Sequence, residues 1–197
     1  GRLILVDDDT VALSNLPRQI AFGEADLGRS KVTVLSEQIA LRNSTVQCET
    51  ITERLNAHNA PDVLEGVSVV VDGTDNADSR QLIDDATAAL GVPWVMGGAV
   101  QMSGLNVVFD AKRDFGCLQC LDNHTPMLEP EGDCARLGIV GGVVAAVALT
   151  QVTQVIKLIT RTGRLPYGEL WLRDFREEQE QRLRFSPKPD CPRCRAH

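Results

Sequence analysis

Leu3-Ile4-Leu5-Val6-Asp7-Asp8-Asp9 carries four apolar residues straight into three acids. An apolar run with no polar alternation marks a strand buried on both faces of a parallel sheet. The acid that closes it lies where doubly wound sheets bind ligands, beyond the carboxyl ends of the strands. A second run, residues 67–71, apolar except for Ser68, passes into Asp72-Gly73-Thr74-Asp75-Asn76. Between the two runs, Ser30 caps a predicted helix through Val32, Leu35 and Ile39. Residues 45–51 alternate as a half-buried strand, with Cys48 expected in the core beside Val46.

Downstream of the second run a helical stretch continues to Leu90 and ends at Gly91, and strands start at Val92 and cover 105–109. A polar stretch rich in Pro and Gly follows around 122–133. The small apolar run 139–149 reads as a buried core helix, because Thr150, Gln151, Thr153, Gln154 and Lys157 follow at once. Late strands lie near Leu170 and Leu183. The alternation predicts an α/β, Rossmann-like, doubly wound, mainly parallel sheet with antiparallel C-terminal strands, forming one domain over residues 1–197. The glycine-rich phosphate turn and first strand that should precede Asp7 by about 20 residues would lie upstream of Gly1. In a sheet ordered 3-2-1-4-5-6 that strand is central, and its loss would leave two half-sheets with unpaired edges. An upstream segment is therefore expected in the working protein.

The 197 residues include 20 basic and 27 acidic side chains, a net charge of −7, and 43% are hydrophobic, as in a soluble domain with a sizeable core. The acidic balance argues against nucleic acid and anionic membrane as partners and leaves phosphate chemistry to locally placed cations. No cleavable signal precedes the first strand, and no charge-free run reads as long enough to cross a bilayer. Six cysteines include two CxxC pairs, which without a secretory signal point to metal or redox work in the cytoplasm.

Spacing alone places Asp7 to hold ribose hydroxyls, with a helix cap or surface acid as the alternative. Arg18 and Lys31 can approach phosphates near a helix N-terminus, or be solvated surface cations. Asp75 can hold a Mg²⁺ that bridges phosphate oxygens, or be a turn residue. Cys117, Cys120, Cys191 and Cys194 make two thiolate pairs, enough for a closed tetrahedral Zn²⁺ site. A dithiol redox pair is the alternative, but too few residues follow Cys194 to form the helix that would activate it. Cys134, beside Arg136 and ahead of the apolar helix, is either a stabilised thiolate or a small inert residue.

Residues 5–11, 14–19, 28–32 and 72–76, with the two CxxC pairs, resemble in order and spacing the ThiF/MoeB/HesA family, related to ubiquitin-activating enzymes. The resemblance implies that Asp7 binds the ATP ribose and that Asn15, Arg18 and Lys31 contact the phosphates, with Ser14 and Asn76 among the nucleotide-binding positions. It implies that Asp75 works with Mg²⁺ and the triphosphate, and that structural zinc pins the C-terminal strands. It also implies a homodimer in which an arginine from the partner's N-terminal helix reaches the phosphates. The substrate implied is a ubiquitin-like sulfur-carrier protein ending in Gly-Gly, adenylated for thiamin or molybdopterin biosynthesis. Its carboxylate attacks the α-phosphorus of ATP and releases pyrophosphate; Mg²⁺, Lys31 and Arg18 neutralise the developing charge. Cys134 matches a cysteine that in one branch joins the carrier tail through sulfur. By its place between a zinc ligand and Cys134, the polar stretch 122–133 is either a cover over that tail or a surface loop. Two other readings are a nicotinamide-dependent oxidoreductase and a non-catalytic, zinc-stapled carrier-binding module.

Overall fold

A computed structural model describes residues 1–113, 115–121 and 138–194. Cys134 and the stretch 122–133 lie outside the described residues. The chain divides into two compact units, Gly1–Val63 and Leu64–His197.

In the first unit, β1 (Arg2–Val6) pairs in parallel with β2 (Gln47–Ile51), from Arg2↔Gln47 to Val6↔Ile51. The crossover carries short 3₁₀ turns at Leu13–Asn15 and Glu24–Asp26 and then α1 (Lys31–Arg42). Val11, Val32, Val34 and Ala60, the last opening α2 (Ala60–Val63), form the buried core. The strand is parallel, as its apolar run predicts, but it is not buried: Leu3 is 45% exposed, and Ile4, Leu5 and Val6 are half-buried. Among the described residues β1 and β2 pair only with each other, so one edge of the apolar strand lacks a neighbour to cover it. For the same reason Cys48 is half-buried and is not a core residue. Ser30 does occupy the N-cap of α1, yet its hydroxyl makes no capping bond.

The second unit holds β3 (Val70–Asp72), α3 (Ala77–Leu90), β4 (Trp94–Val100), β5 (Ser103–Phe109), α4 (Leu118–Leu121), α5 (Gly141–Thr160), β6 (Glu169–Asp174) and β7 (Gln179–Arg184). Its five strands lie in the order β3-β4-β5-β6-β7. Only β3 and β4 are parallel; antiparallel pairing begins at β5, earlier than the sequence suggests. Gln101 and Met102 alone link Val100 to its partner Ser103, with Gln101 at φ 51°. A connection that short can only fold back. Gly91, at φ 61°, ends α3 in the left-handed conformation that its lack of a side chain permits.

The sheet buries Trp94, Val95, Met96, Val107 and Leu170, with Trp94 stacked on Phe109 at 4.8 Å. Over it lies α5, which corrects the expected buried helix at 139–149. The helix runs 20 residues and buries only Val143, Val147 and Gln151, one stripe of i, i+4, i+8 positions. Leu149, Val152, Ile156 and Ile159 on another stripe are exposed. The polar residues after Leu149 do not stop it, because Thr150, Thr153 and Thr160 donate their hydroxyls to the carbonyls of Ala146, Leu149 and Ile156. By length and composition α5 is apolar enough to cross a membrane, against the sequence reading that no run is. Its inner stripe, however, is engaged by the sheet. A Cβ on Gly104 would lie 2.6 Å from Val147, and one on Gly97 2.6 Å from the Gln151 amide. The missing side chains are what admit the helix so closely.

Candidate functional site

The first unit gathers charge where β1 ends. Asp7 donates its backbone N–H to Ile51 O at 3.2 Å, extending the ladder by one residue. Asp9 N then donates to Asp7 Oδ1 at 2.9 Å and turns the chain away. Lys31, the first residue of α1, donates its N–H to Asp9 O at 3.1 Å, which fixes the helix start against that turn. Its side chain is buried, with Nζ 2.6 Å from Asp9 Oδ2 and 3.9 Å from Asp7 Oδ2. A buried ammonium is tolerable because carboxylates face it. Of these two acids Asp9 is the more exposed.

Asn15 is buried at the 3₁₀ turn and accepts the Ala12 N–H on Oδ1 at 3.0 Å, while its carbonyl accepts from Arg18 and Gln19. Arg18 folds back, donating from Nη1 to Ser14 O at 2.6 Å. The structure thus brings Asp7, Asp9 and Lys31 into direct contact. It holds Ser14, Asn15 and Arg18 together on the neighbouring turn.

In the second unit, β3 ends at Asp72, which is 1% exposed. Its Oδ1 accepts the Thr74 N–H at 2.7 Å, while Oδ2 has no partner among the described residues. Burial pushes this carboxyl above the ordinary range, opposed by the Thr74 hydrogen bonds and the Arg80 charge. Arg80, buried on α3, donates to Thr74 O at 2.9 Å. Asn76 caps α3 by accepting the Ser79 N–H at 2.8 Å. From α5, Gln151 Nε2 donates to Asp72 O at 2.6 Å and to Val95 O at 3.0 Å. The turn is held from three sides, and Asp75 projects from it into solvent, open to a cation.

The four predicted cysteine ligands converge. Sγ separations are 3.8 Å for Cys117–Cys120, 3.6 Å for Cys117–Cys191 and 3.7 Å for Cys120–Cys194, and all four lie within 4.8 Å of one another. Bonds of 2.3 Å to a tetrahedral Zn²⁺ put sulfurs about 3.8 Å apart, whereas a disulfide needs about 2.05 Å. The donor set therefore fits zinc and matches neither disulfide nor a lone redox pair. Cys120 Sγ also accepts the Lys188 N–H at 3.3 Å. Burial pushes the Cys117 thiol up to about 12. At Cys191 burial acts the same way but is outweighed by the Cys194 and Arg193 backbone N–H groups and the neighbouring thiols, giving about 7. A divalent cation is what would bring all four to thiolate.

Sequence reasoning missed Asp9, Asp72, Arg80, Asp84, Gln151 and Arg193. Asp9 and Asp72 stand inside the runs that drew attention to their neighbours. Gln151 looked only like the polar end of a helix. Arg193 donates to Asp84 O across 109 residues, a contact that no local spacing announces.

An α/β chain with an acid-tipped parallel strand facing a buried lysine, and with four thiols gathered at distances that fit a zinc ion, is by class a Rossmann-like fold. The chain belongs to the ThiF family, whose pattern it matches across residues 1–193. It is 36% identical over 196 residues to the sulfur carrier protein ThiS adenylyltransferase of Escherichia coli, covering 98% of this chain and 76% of that protein. It is 34% identical to the adenylyltransferase and sulfurtransferase MOCS3 of Anopheles gambiae, spanning 98% of this chain but 44% of that relative. A Thermus thermophilus sulfur carrier protein adenylyltransferase is 32% identical over 198 residues, with 98% of this chain and 73% of that protein covered. Among solved structures, E. coli MccB with ATP superposes with a TM-score of 0.80 at 21% identity, covering 98% of this chain and 59% of that one. That likeness speaks to the fold.

Proposed function

We propose that this chain is the core of an adenylyltransferase that uses ATP to activate the C-terminal glycine carboxylate of a ubiquitin-like sulfur-carrier protein. The observation that carries the reading is the similarity, across 98% of this chain, to the E. coli ThiS adenylyltransferase. The carrier serves thiamin or molybdopterin biosynthesis in this reading, the two routes that the family resemblance implies.

In this reading Asp7 holds the ribose hydroxyls, and Ser14, Asn15, Arg18, Lys31 and Asn76 serve the nucleotide. Lys31 exchanges its Asp9 partner for a phosphate oxygen, and its burial beside a helix N-terminus strengthens that contact over one made in bulk water. Asp75 supplies a carboxylate to Mg²⁺. The carboxylate of the carrier attacks the α-phosphorus and pyrophosphate leaves, so the demand on the protein is charge neutralisation and alignment. Zinc on Cys117, Cys120, Cys191 and Cys194 supplies a crosslink and no chemistry to the reaction. Cys134 is the candidate nucleophile for a later sulfur step, and a homodimer is the expected assembly.

The test is ATP–pyrophosphate exchange by the full protein against carriers ending in Gly-Gly. Lys31→Ala should cut exchange at saturating ATP by about 100-fold, the range seen when one transition-state donor is removed. Full exchange by that variant would reject the role of Lys31, and no exchange with any carrier would reject the reading as a whole.

A further inference from the structure

Between the second pair of thiols lies Arg193, and it addresses Asp84 of α3, which is 3% exposed. Arg193 Nη1 lies 2.8 Å from Asp84 Oδ2 and also pairs with Asp85 Oδ1, while Nη2 donates to Asp84 O. The guanidinium is itself largely shielded, at 15% side-chain exposure. A buried carboxylate facing one cation is expensive to leave without that partner.

We propose that Asp84 is the positioning residue of the metal knuckle. It orients the Cys191–Cys194 loop through Arg193, and so ties metal occupancy to the C-terminal half of α3. The inference rests on the zinc reading above and goes beyond it. Outer partners of this kind fix ligand geometry before the metal arrives, and removing them typically costs 10–100-fold in metal affinity. The same latch makes α3 a reporter of the site. It runs from the Asn76 cap to Leu90, so loosening at Asp84 should be felt along the helix.

The experiment measures zinc transfer from the zinc-loaded full protein to a chromophoric chelator, with hydrogen exchange over residues 77–90 read in parallel. Asp84→Ala and Arg193→Ala should each release zinc 10–100-fold faster than wild type, and the double variant no faster than the worse single one, since both break one latch. Asp84→Asn keeps acceptor capacity and Arg193→Lys keeps one cation, so both should fall between wild type and the alanine variants. Chelation should raise exchange in 77–90 in wild type, whereas in the alanine variants exchange there should already be high and should change little. Should an alanine variant fail to fold, the conservative pair carries the test. Wild-type release rates in all folded variants, or additive effects in the double variant, would overturn the latch. A wild-type protein that takes up no zinc would instead overturn the metal assignment, and the two failures are therefore distinct.

Discussion

The outermost strand of the second sheet and the first strand of the chain are both edges, and they are built oppositely. In β7, Gln179, Glu180, Gln181, Arg182 and Arg184 are exposed, and Leu183 alone is apolar. That is an edge made to stay in water, because charged side chains discourage another strand from pairing. In β1, Leu3, Ile4, Leu5 and Val6 follow one another and remain partly exposed. By contrast β4 and β5, apolar in the same way, hold Val95, Met96 and Val107 at 0% exposure with strands on both edges and α5 across one face. An apolar run thus reports what a strand requires, and neighbours decide whether the requirement is met.

The largest way to break this contrast is at the knuckle that follows β7. Cys191→Ser, or stripping zinc with a chelator, should destabilise the second unit by several kcal/mol, a fall in unfolding midpoint on the order of 10 °C by calorimetry. An unchanged midpoint would mean that the sheet closes without the metal. A smaller effect is expected at the helix contact. Gly104→Ala drives a Cβ to within 2.6 Å of Val147, so denaturant unfolding should show a loss of about 1–3 kcal/mol while hydrogen exchange in residues 1–63 stays as in wild type. Loss of protection in both units alike would remove the distinction between them.

The smallest effect is in pH. The Asp72 and Asp84 carboxyls are raised by burial, Asp84 to about 6 even with the Arg193 charge opposing. The folded state then binds protons that the unfolded chain has already released. Their contribution is present below the ordinary carboxylate value near 3.8 and is lost as pH rises through the raised one, about 6 for Asp84. Asp72→Asn removes one of these groups, so the stability of the variant relative to wild type should improve as pH climbs from 4 to about 7. Comparing the two proteins at each pH cancels the zinc term common to both. A pH-independent difference between them would mean that the Asp72 carboxyl is not raised.

Legibility followed the range of the interactions. The parallel strands, α1, α3 with its Gly91 stop, the late hairpin and the thiol set were all written in local pattern, because periodicity, caps and CxxC spacing are local properties. The Asp7–Lys31 pairing was readable as two candidates and became one site only through the Asp9 turn that joins them. The antiparallel onset at β5 hinged on a two-residue link, which looks unexceptional until its ends are seen to pair. The exposure of β1 and the half-burial of Cys48 depend on which strands lie beside them, which no window of sequence contains. The long reach of α5 past Leu149 depended on threonines that spend their hydroxyls within the helix. Asp84 and Arg193 had no signal at all, being joined only by the tertiary fold.

Gly97 leaves a hollow the size of a methyl group, and Gln151 fills it to grip the carbonyls of Asp72 and Val95. Neither residue is free to vary by itself: a side chain at 97 evicts the amide, and a shorter residue at 151 orphans two strand carbonyls and opens a void. Across relatives the pair should drift together or stay fixed together, a two-site covariation legible from an alignment alone.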